Sequence, residues 1–423
     1  MEGFHQIKKE EEMKKVSIVL SLLTMLILGF VFVAYGAEKQ VVNYWSRKTG
    51  PDQVVIQEAV AAFNRQNPQI EVKFQVMPWG AAYYSRIRTA ILTGQPPEVF
   101  DIAPWLGPYF LPYVQPFTEA EFANLGIRKS DYAAEAIEGV RYGDRYVGVP
   151  LSILTLGLYY NKDLFQKAGL DPERPPTDFR EFLVCAKSLT RDTDGDGKID
   201  QWGWMLGNSL NPNAWLWESI LASNGGAILN KDRTKVAFEG KPGLDALQLL
   251  LDLAHVQKVA PPELADPSKS FVAGKLGMTV GGIWMIPAYQ DKVRFGTVSL
   301  PQFGSKQPAS WGSLDVYVLP KHTPSALAFA KWMAGTEGQK YYAKTHLPAR
   351  LEILRSPAIT ANPHFSGLAK GIGQVFIPPA HKDLMEVYDR VWKAIQSAYG
   401  KALSPQQALD QAARESNEIL AKK

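Results

Sequence analysis

The sequence predicts an α/β protein of two domains, and three observations carry that prediction. Between Val41 and Ile102 short apolar strands alternate with amphipathic helices. Beyond about residue 150 a second α/β pattern begins. The 423 residues, 46% of them hydrophobic, are enough for two compact cores.

The chain opens with an uncharged 18-residue run, Val16 to Val33, preceded by Lys14-Lys15 and followed by "AYGAEK". This reads as a secretory signal over residues 1–37, cleaved after Gly36 or Ala37, with Met13 as an alternative start. The run is at the long end for a signal core, so a retained membrane anchor stays open beside it. Either way the rest of the chain is exported, to the periplasm or the cell surface. There is no second apolar run long enough to span a bilayer.

"VVNYW" reads as a short buried strand. "PDQVVIQEAVAAFNRQNP" follows as a helix, opened by Pro51-Asp52, stopped by Pro68, with Ile56, Ala59, Val60 and Phe63 on one face. "IEVKFQV" alternates as a strand, "AAYYSRIRTAILTG" repeats the helical period, and "EVFDI" is a third strand. Strand–helix–strand repetition implies right-handed crossovers and a parallel sheet, whose ligands sit beyond the carboxyl ends of the strands. Those ends are "WSRKTG", "MPWG" and "DIAPW", so Trp45, Arg47, Trp79, Asp101 and Trp105 are expected on one rim. A single loop tryptophan is as often a lid on the core as a ligand contact; convergence on one rim favours the ligand.

In the second pattern "LGLYYNKDLF" reads as strand into helix, "DFREFLVCAKSL" as a helix, "WGWML" as a strand, and "NPNAWLWESILASNGG" as a helix opening on aromatics. "GLDALQLLLDLAHV" turns Leu244, Leu247, Leu251 and Ala254 to a core. "GMTVGGIWMIPAY" is a buried strand running into Trp284, and "SWGSLDVYVLP" is a late strand with Trp311 at its entrance and Asp315 inside. From Pro324 onward the chain is mostly helical. Trp332 and Trp392 have core spacing, Trp202 flanks a turn, and Trp204 reads equally as core or cleft.

The formal charge of +4 comes without a basic block beyond the N-terminal region, so nucleic acid is not an expected partner. The single cysteine, Cys185, excludes an internal disulfide and reads as a buried thiol in a helix. "DTDGDGKIDQWG" places Asp192, Asp194, Asp196 and Asp200 at positions 1, 3, 5 and 9 of a calcium-type loop, with Gly197 at the turn. Its closing position is Gly203 rather than a bidentate Glu, so a structural calcium site and a metal-free turn, in which the aspartates bond their own backbone, both remain.

Five stretches in order, "FNRQNPQIEVKFQVMPWGAAYYSRIRTAILTGQPPEVFDI", "VGVPLSILTLGLYYNKDLFQKAGLD", "AKSLTRDTDGDGKIDQWG", "GKLGMTVGGIWMIPAY" and "THLPAR", resemble the extracellular sugar-binding proteins of bacterial ABC importers, the family that includes maltose-binding protein. The resemblance covers nearly everything from Val41 to the C-terminal helices. It implies a two-lobe, type II periplasmic-binding fold, each lobe a sheet flanked by helices, with the ligand in the cleft between them. The implied lobes are 38–153 plus 314–375 and 154–313 plus 376–423, with crossings near Pro150 to Leu156, Ser310 to Asp315 and Gly371 to Pro378.

The resemblance also implies roles. Asp101 and Trp105 match a carboxylate and an aromatic of the first lobe; Trp284 matches an aromatic that stacks on a sugar ring; Asn213 and Trp215, with Glu218 beside them, fall in the helix opening that reaches the ligand from the second lobe. Arg350 in "LPAR" matches an arginine near the cleft, and "YWSRK" departs from the commoner ending of the first strand, which leaves the role of Arg47 open. The chemistry suits a sugar. Aromatic faces cover the C–H side of a pyranose while carboxylates, amides and guanidinium groups bond its hydroxyl equator.

Several tryptophans expected on both lobes would grip more than one ring, so the expected ligand is an oligosaccharide. The expected partner is an ABC permease, the expected state a monomer, and no cofactor is required beyond calcium if the acidic loop holds it. Three rivals remain: the same fold binding a glycerol phosphate through Arg47, Lys48 and Arg350, an exported glycoside hydrolase using Asp101 with Glu218 or Asp315, and a purely adhesive or structural exported protein. No HExxH, nucleophile elbow or phosphate loop supports an enzyme.

Overall fold

The structure, a computed structural model, describes residues 39–77 and 81–422. The expected signal segment and Trp79 lie outside the described residues.

Strands β1 (Gln40–Ser46), β2 (Ile70–Val76) and β3 (Val99–Ile102) form parallel pairs with β1 in the middle. Helix α1 (Pro51–Gln66) connects the first two and α2 (Ala81–Leu92) the next. Pro51 suits the first turn of α1 because that position needs no amide hydrogen, and Ile56, Ala59, Val60 and Phe63 all face the core, as their spacing requires. The crossovers are those of βαβ units, as the sequence pattern predicts.

A small hairpin, β4 (Arg141–Tyr142) and β5 (Arg145–Tyr146), precedes β6 (Val149–Thr155). The main sheet has the order β11-β6-β10-β3-β1-β2, where β10 is Ser310–Val318 and β11 is Leu347–Pro348. It is mixed: β10 runs antiparallel to β3 and to β6. Every residue of β10 is buried, which fits a strand covered on both faces. A smaller antiparallel sheet has the order β8-β7-β9, with β7 at Gly157–Asn161, β8 at Met278–Gly281 and β9 at Phe295–Ser299.

Three chain passages between the sheets lie side by side. One residue, Leu156, separates β6 from β7; its amide donates to Ser310 Oγ at 3.2 Å and to Trp311 O at 3.3 Å. Strand β12 (Val375–Phe376) pairs in parallel with the start of β10, Ser310 opposite Val375. The spacing leaves no room for side chains at two positions. A Cβ on Gly312 would lie 2.7 Å from Leu154 O, and one on Gly157 would lie 2.7 Å from Val298 O.

The second core gathers α3 (Leu210–Ser223), α4 (Lys241–His255) and the C-terminal helices α5 (Leu384–Tyr399) and α6 (Pro405–Leu420). Leu247, Leu251, Ala254 and Trp392 are buried there, and each large aliphatic or aromatic side chain so buried contributes about 1.5–3 kcal/mol of transfer free energy. Cys185 is buried in the helix Phe179–Leu189.

Two local readings differ from the structure. The "WGWML" segment is not a strand; it makes isolated bridges, because the Trp202 amide donates to Lys275 O and the Trp204 amide to Val259 O, two different neighbours that cannot form one ladder. The short helix Ser366–Lys370, inside the 314–375 span assigned to the first lobe, packs against β9 of the smaller sheet: the His364 ring stacks on Phe295 at 4.2 Å and Thr297 Oγ1 donates to His364 O at 2.9 Å.

Candidate functional site

A cleft of about 310 Å³ opens where β1, β6 and β10 meet α3 and the turn after β8. Its lining includes Arg47, Trp105, Trp215, Trp284, Trp311 and Asp315, six residues singled out from the sequence. One wall is charged and the other aromatic.

The charged wall is set by the end of β1. Arg47 Nε lies 3.1 Å from Asp101 Oδ1, and Arg47 Nη2 lies 3.0 Å from Asp315 Oδ1. Lys48 Nζ lies 2.7 Å from Asp315 Oδ2. Asp101 is fully buried in β3, where it also accepts from Ser46 and from Tyr44 Oη at 3.1 Å, so it holds the arginine rather than facing the cleft. Burial opposes ionisation of Asp315, but the Lys48 ammonium overrides it and keeps the carboxyl well below the usual range.

His346 completes this wall. Lys48 has only donors to offer, so the 2.9 Å contact from its Nζ makes His346 Nε2 the acceptor and leaves the ring proton on Nδ1, 2.8 Å from Thr345 Oγ1. Burial first, and Lys48 second, push the imidazole below its ordinary pKa, which keeps it neutral at pH 7. Asp52 Oδ2 lies 3.4 Å from the same ring.

The aromatic wall is built by α3 and β10. Trp215 and Trp311 stack with centroids 4.0 Å apart and planes 6° off parallel. Trp105, in the turn after β3, packs against Trp311 at 5.6 Å, and Trp284 meets Trp215 edge-on at 5.9 Å. Trp284 alone among these keeps much of its surface in solvent, 37% exposed against 6% for Trp215. Strand alternation puts Trp311, Ser313 and Asp315 of β10 on the cleft side.

Two polar atoms of this wall are buried without a partner among the described residues. They are the indole Nε1 of Trp215 and the amide Oδ1 of Asn211, which sits at the kink where α3 opens. One is a donor and the other an acceptor.

Other sequence candidates lie elsewhere. Trp45 stays within β1, half-buried, with the Arg86 guanidinium 5.4 Å from its ring. Trp204 is buried in the second core against Phe182. Asn213 is turned inward, accepting from the Gly207 amide at 3.0 Å and donating to Ser209 O. Glu218 is buried behind Trp311 and bonded to Tyr388. Arg350 joins Glu352 at 3.2 Å and Asp131 at 3.7 Å, and is not in the cleft lining.

Sequence reading passed over Asn211, Ser313 and His346 as contributors to the cleft. Period-two alternation from Trp311 would have found Ser313, whereas His346 reaches the site only through long-range packing.

In the acidic loop the ligand atoms of Asp192, Asp194 and Asp196 lie within 4.8 Å of one another. Asp192 already accepts from the Gly197 and Gly195 amides at 2.8 and 2.7 Å, which lowers its pKa; Asp196 accepts from Lys198 N, and Asp200 from Thr193.

Residues 49–340, more than half of the chain, match the family model of bacterial extracellular solute-binding proteins. Among curated relatives, a multiple sugar-binding protein of Streptococcus mutans is 24% identical over 75% of this chain and 77% of its own length. A galactooligosaccharide-binding protein of Bacillus subtilis is 24% identical over 85% of each. Among solved structures, an ABC substrate-binding protein from Listeria monocytogenes in complex with cycloalternan superposes with a TM-score of 0.76 at 23% identity, covering 91% of this chain and all of that one. The fold is therefore the type II periplasmic-binding fold. Among the described residues no helix is long and apolar enough to cross a membrane. By the match over residues 49–340, this chain belongs to the bacterial extracellular solute-binding proteins.

Proposed function

We propose that the chain captures a neutral oligosaccharide in this cleft, closes on it about the three side-by-side passages, and delivers it intact to the permease of an ABC importer. The observation that carries the reading is the aromatic wall: an open indole face at Trp284 beside an unpaired N–H at Trp215 and an unpaired amide oxygen at Asn211. Sugars present C–H faces to the first, and hydroxyls, which both accept and donate, to the second and third. Leaving those two atoms dry and unpaired costs about 1–3 kcal/mol each, so closure without a matching ligand is disfavoured. On this reading Trp284, Trp215 and Asn211 contact the sugar, Arg47, Lys48 and Asp315 form the polar floor, and Trp105 and Trp311 back the wall.

Charge argues against the glycerol-phosphate rival. Arg47 and Lys48 are the cationic side chains at the cleft, and Asp52, Asp101 and Asp315 already face or bond them and His346. A phosphate would meet no spare positive charge. Placement argues against a hydrolase. Glu218, pushed up to about 8 by burial, is the carboxyl with an acid's pKa, yet it sits behind Trp311 outside the cleft lining, and Asp101 is locked to Arg47.

No cofactor is needed. The acidic loop satisfies its own backbone, and calcium there would serve structure alone. The protein acts as an exported monomer in this account.

A thermal-shift screen of the mature chain from about Glu38 tests the reading, using maltotriose, other neutral oligosaccharides, monosaccharides and glycerol phosphates, with and without EDTA. A ligand at 100 times its Kd adds about 2.7 kcal/mol of stability. The expected outcome is a rise with one neutral oligosaccharide series, unaffected by EDTA, with the sugar recovered intact. A rise only with phosphorylated ligands, or turnover of the sugar, would reject it.

A further inference from the structure

Behind the aromatic wall runs a buried chain of polar side chains. Trp311 Nε1 lies 3.1 Å from Tyr388 Oη, and Tyr388 Oη lies 2.5 Å from Glu218 Oε2. An indole N–H can only donate, so Tyr388 is the acceptor there and its own proton goes to Glu218. The next residue of α3, Ser219, accepts the Trp311 backbone amide at 2.8 Å and donates to Trp215 O at 2.8 Å. One turn earlier on the same helix, Trp215 carries the ring stacked on Trp311. Thus α3 holds Trp311 directly by its amide and its face, and its indole N–H through Tyr388 of α5.

We propose that Glu218, acting through Tyr388, fixes the rotational setting of Trp311 and with it the Trp215–Trp311 stack, making Glu218 and Tyr388 positioning residues for the wall of the cleft. The inference rests on the sugar-binding reading for its functional meaning, but the stack itself is measurable without any ligand.

Burial favours a neutral acid, against the opposing pull of the Tyr388 hydroxyl that Glu218 accepts. Glu218 has 2% of its surface exposed, and no cationic side chain is paired with it among the described residues. The elements packed on α3 supply none. On α4, Lys241 pairs with Asp245 at the surface and His255 bonds Tyr399 O; on α5, Arg390 and Lys393 pair with Asp389; on β10, Asp315 is taken by Arg47 and Lys48; β8 has no titratable residue. Burial accordingly pushes Glu218 up to about 8. Ionisation would leave a buried charge whose hydrogen-bond donor among the described residues is the Tyr388 hydroxyl, and hydrating that charge would open the Tyr388–Trp311 contact.

The test is the circular-dichroism couplet of the stacked indoles in the ligand-free mature protein, assigned by its loss in Trp215→Phe and followed from pH 6 to pH 9. Wild type should lose about half its amplitude near pH 8, where Glu218 ionises. Glu218→Gln, which keeps the acceptor and cannot ionise, should hold its amplitude across the range. Tyr388→Phe should show a weakened couplet at every pH. Melting curves recorded alongside show whether each variant is folded; if Tyr388→Phe is not, the comparison of wild type with Glu218→Gln decides alone. A wild-type couplet that is flat with pH, or that titrates in parallel with Glu218→Gln, would overturn the proposal. Failure of the sugar panel would leave these readings intact and count only against the function.

Discussion

The two walls of the cleft are held by opposite means. The first-sheet wall is a set of charges that neutralise one another, Arg47 and Lys48 against Asp101 and Asp315 with a neutral His346 between, although Arg47 Nε, 3.1 Å from Asp101, lacks an aligned hydrogen bond. The α3 wall is a stack of indoles backed by the buried Glu218, with two polar atoms left unpaired. The contrast teaches where selectivity resides. A wall whose charges are already compensated offers a rigid polar floor, while the wall with unpaired atoms and an open aromatic face has something to gain from a ligand.

The contrast extends to pH. Asp315 has a depressed folded pKa, so its contribution is present above the unfolded carboxylate value near 4 and is lost as pH falls below it. Glu218 has a raised one, so its contribution is complete below about 4.5 and declines as pH rises toward 8. The charged wall should fail in acid and the aromatic wall in mild base.

The largest effect should come from breaking the charged wall. Asp315→Ala leaves Arg47 and Lys48 without their shared partner, and urea denaturation at pH 7 should show a loss of about 3–5 kcal/mol. Next, the aromatic wall: between pH 5 and pH 8 wild type should lose on the order of a few kcal/mol that Glu218→Gln does not lose, read from denaturation midpoints at each pH. A variant that tracks wild type would erase the pH contrast.

The remaining two predictions concern binding. Trp284→Ala removes the open face and should weaken oligosaccharide affinity by about 2 kcal/mol, roughly 30-fold by titration calorimetry, with little change in melting temperature. Asn211→Ala removes one hydroxyl acceptor and should weaken it by about 1 kcal/mol, roughly fivefold. If instead the charged wall reads the ligand, Asn211→Ala would bind as wild type.

How far the sequence reaches differs between these regions as well. Helical and strand periods placed β1 to β3, α1, α3, α4 and β10, because amphipathic spacing is local and the core rewards it. The tryptophans Trp105, Trp215, Trp284 and Trp311 were legible as cleft residues through strand ends and a family resemblance. Asp101 was read as a rim residue, but the strand continues past it and buries it, so it faces Arg47. Asn213 and Asn211 look alike in "NPN"; only the packing at the helix start decides that the former is used internally and the latter is left unpaired. The ring state of His346 depends on Lys48, 298 residues away in sequence, and no local pattern carries that information.

The central claim is that the aromatic wall selects a neutral sugar and the charged wall does not select an anion. Titration calorimetry of the mature wild type and Trp284→Ala, with maltotriose and a panel of neutral oligosaccharides against glycerol phosphate, tests it most directly. The account predicts binding of a neutral oligosaccharide that falls about 30-fold in the variant, and no binding of the phosphate. Phosphate binding, or sugar binding indifferent to Trp284, would contradict it.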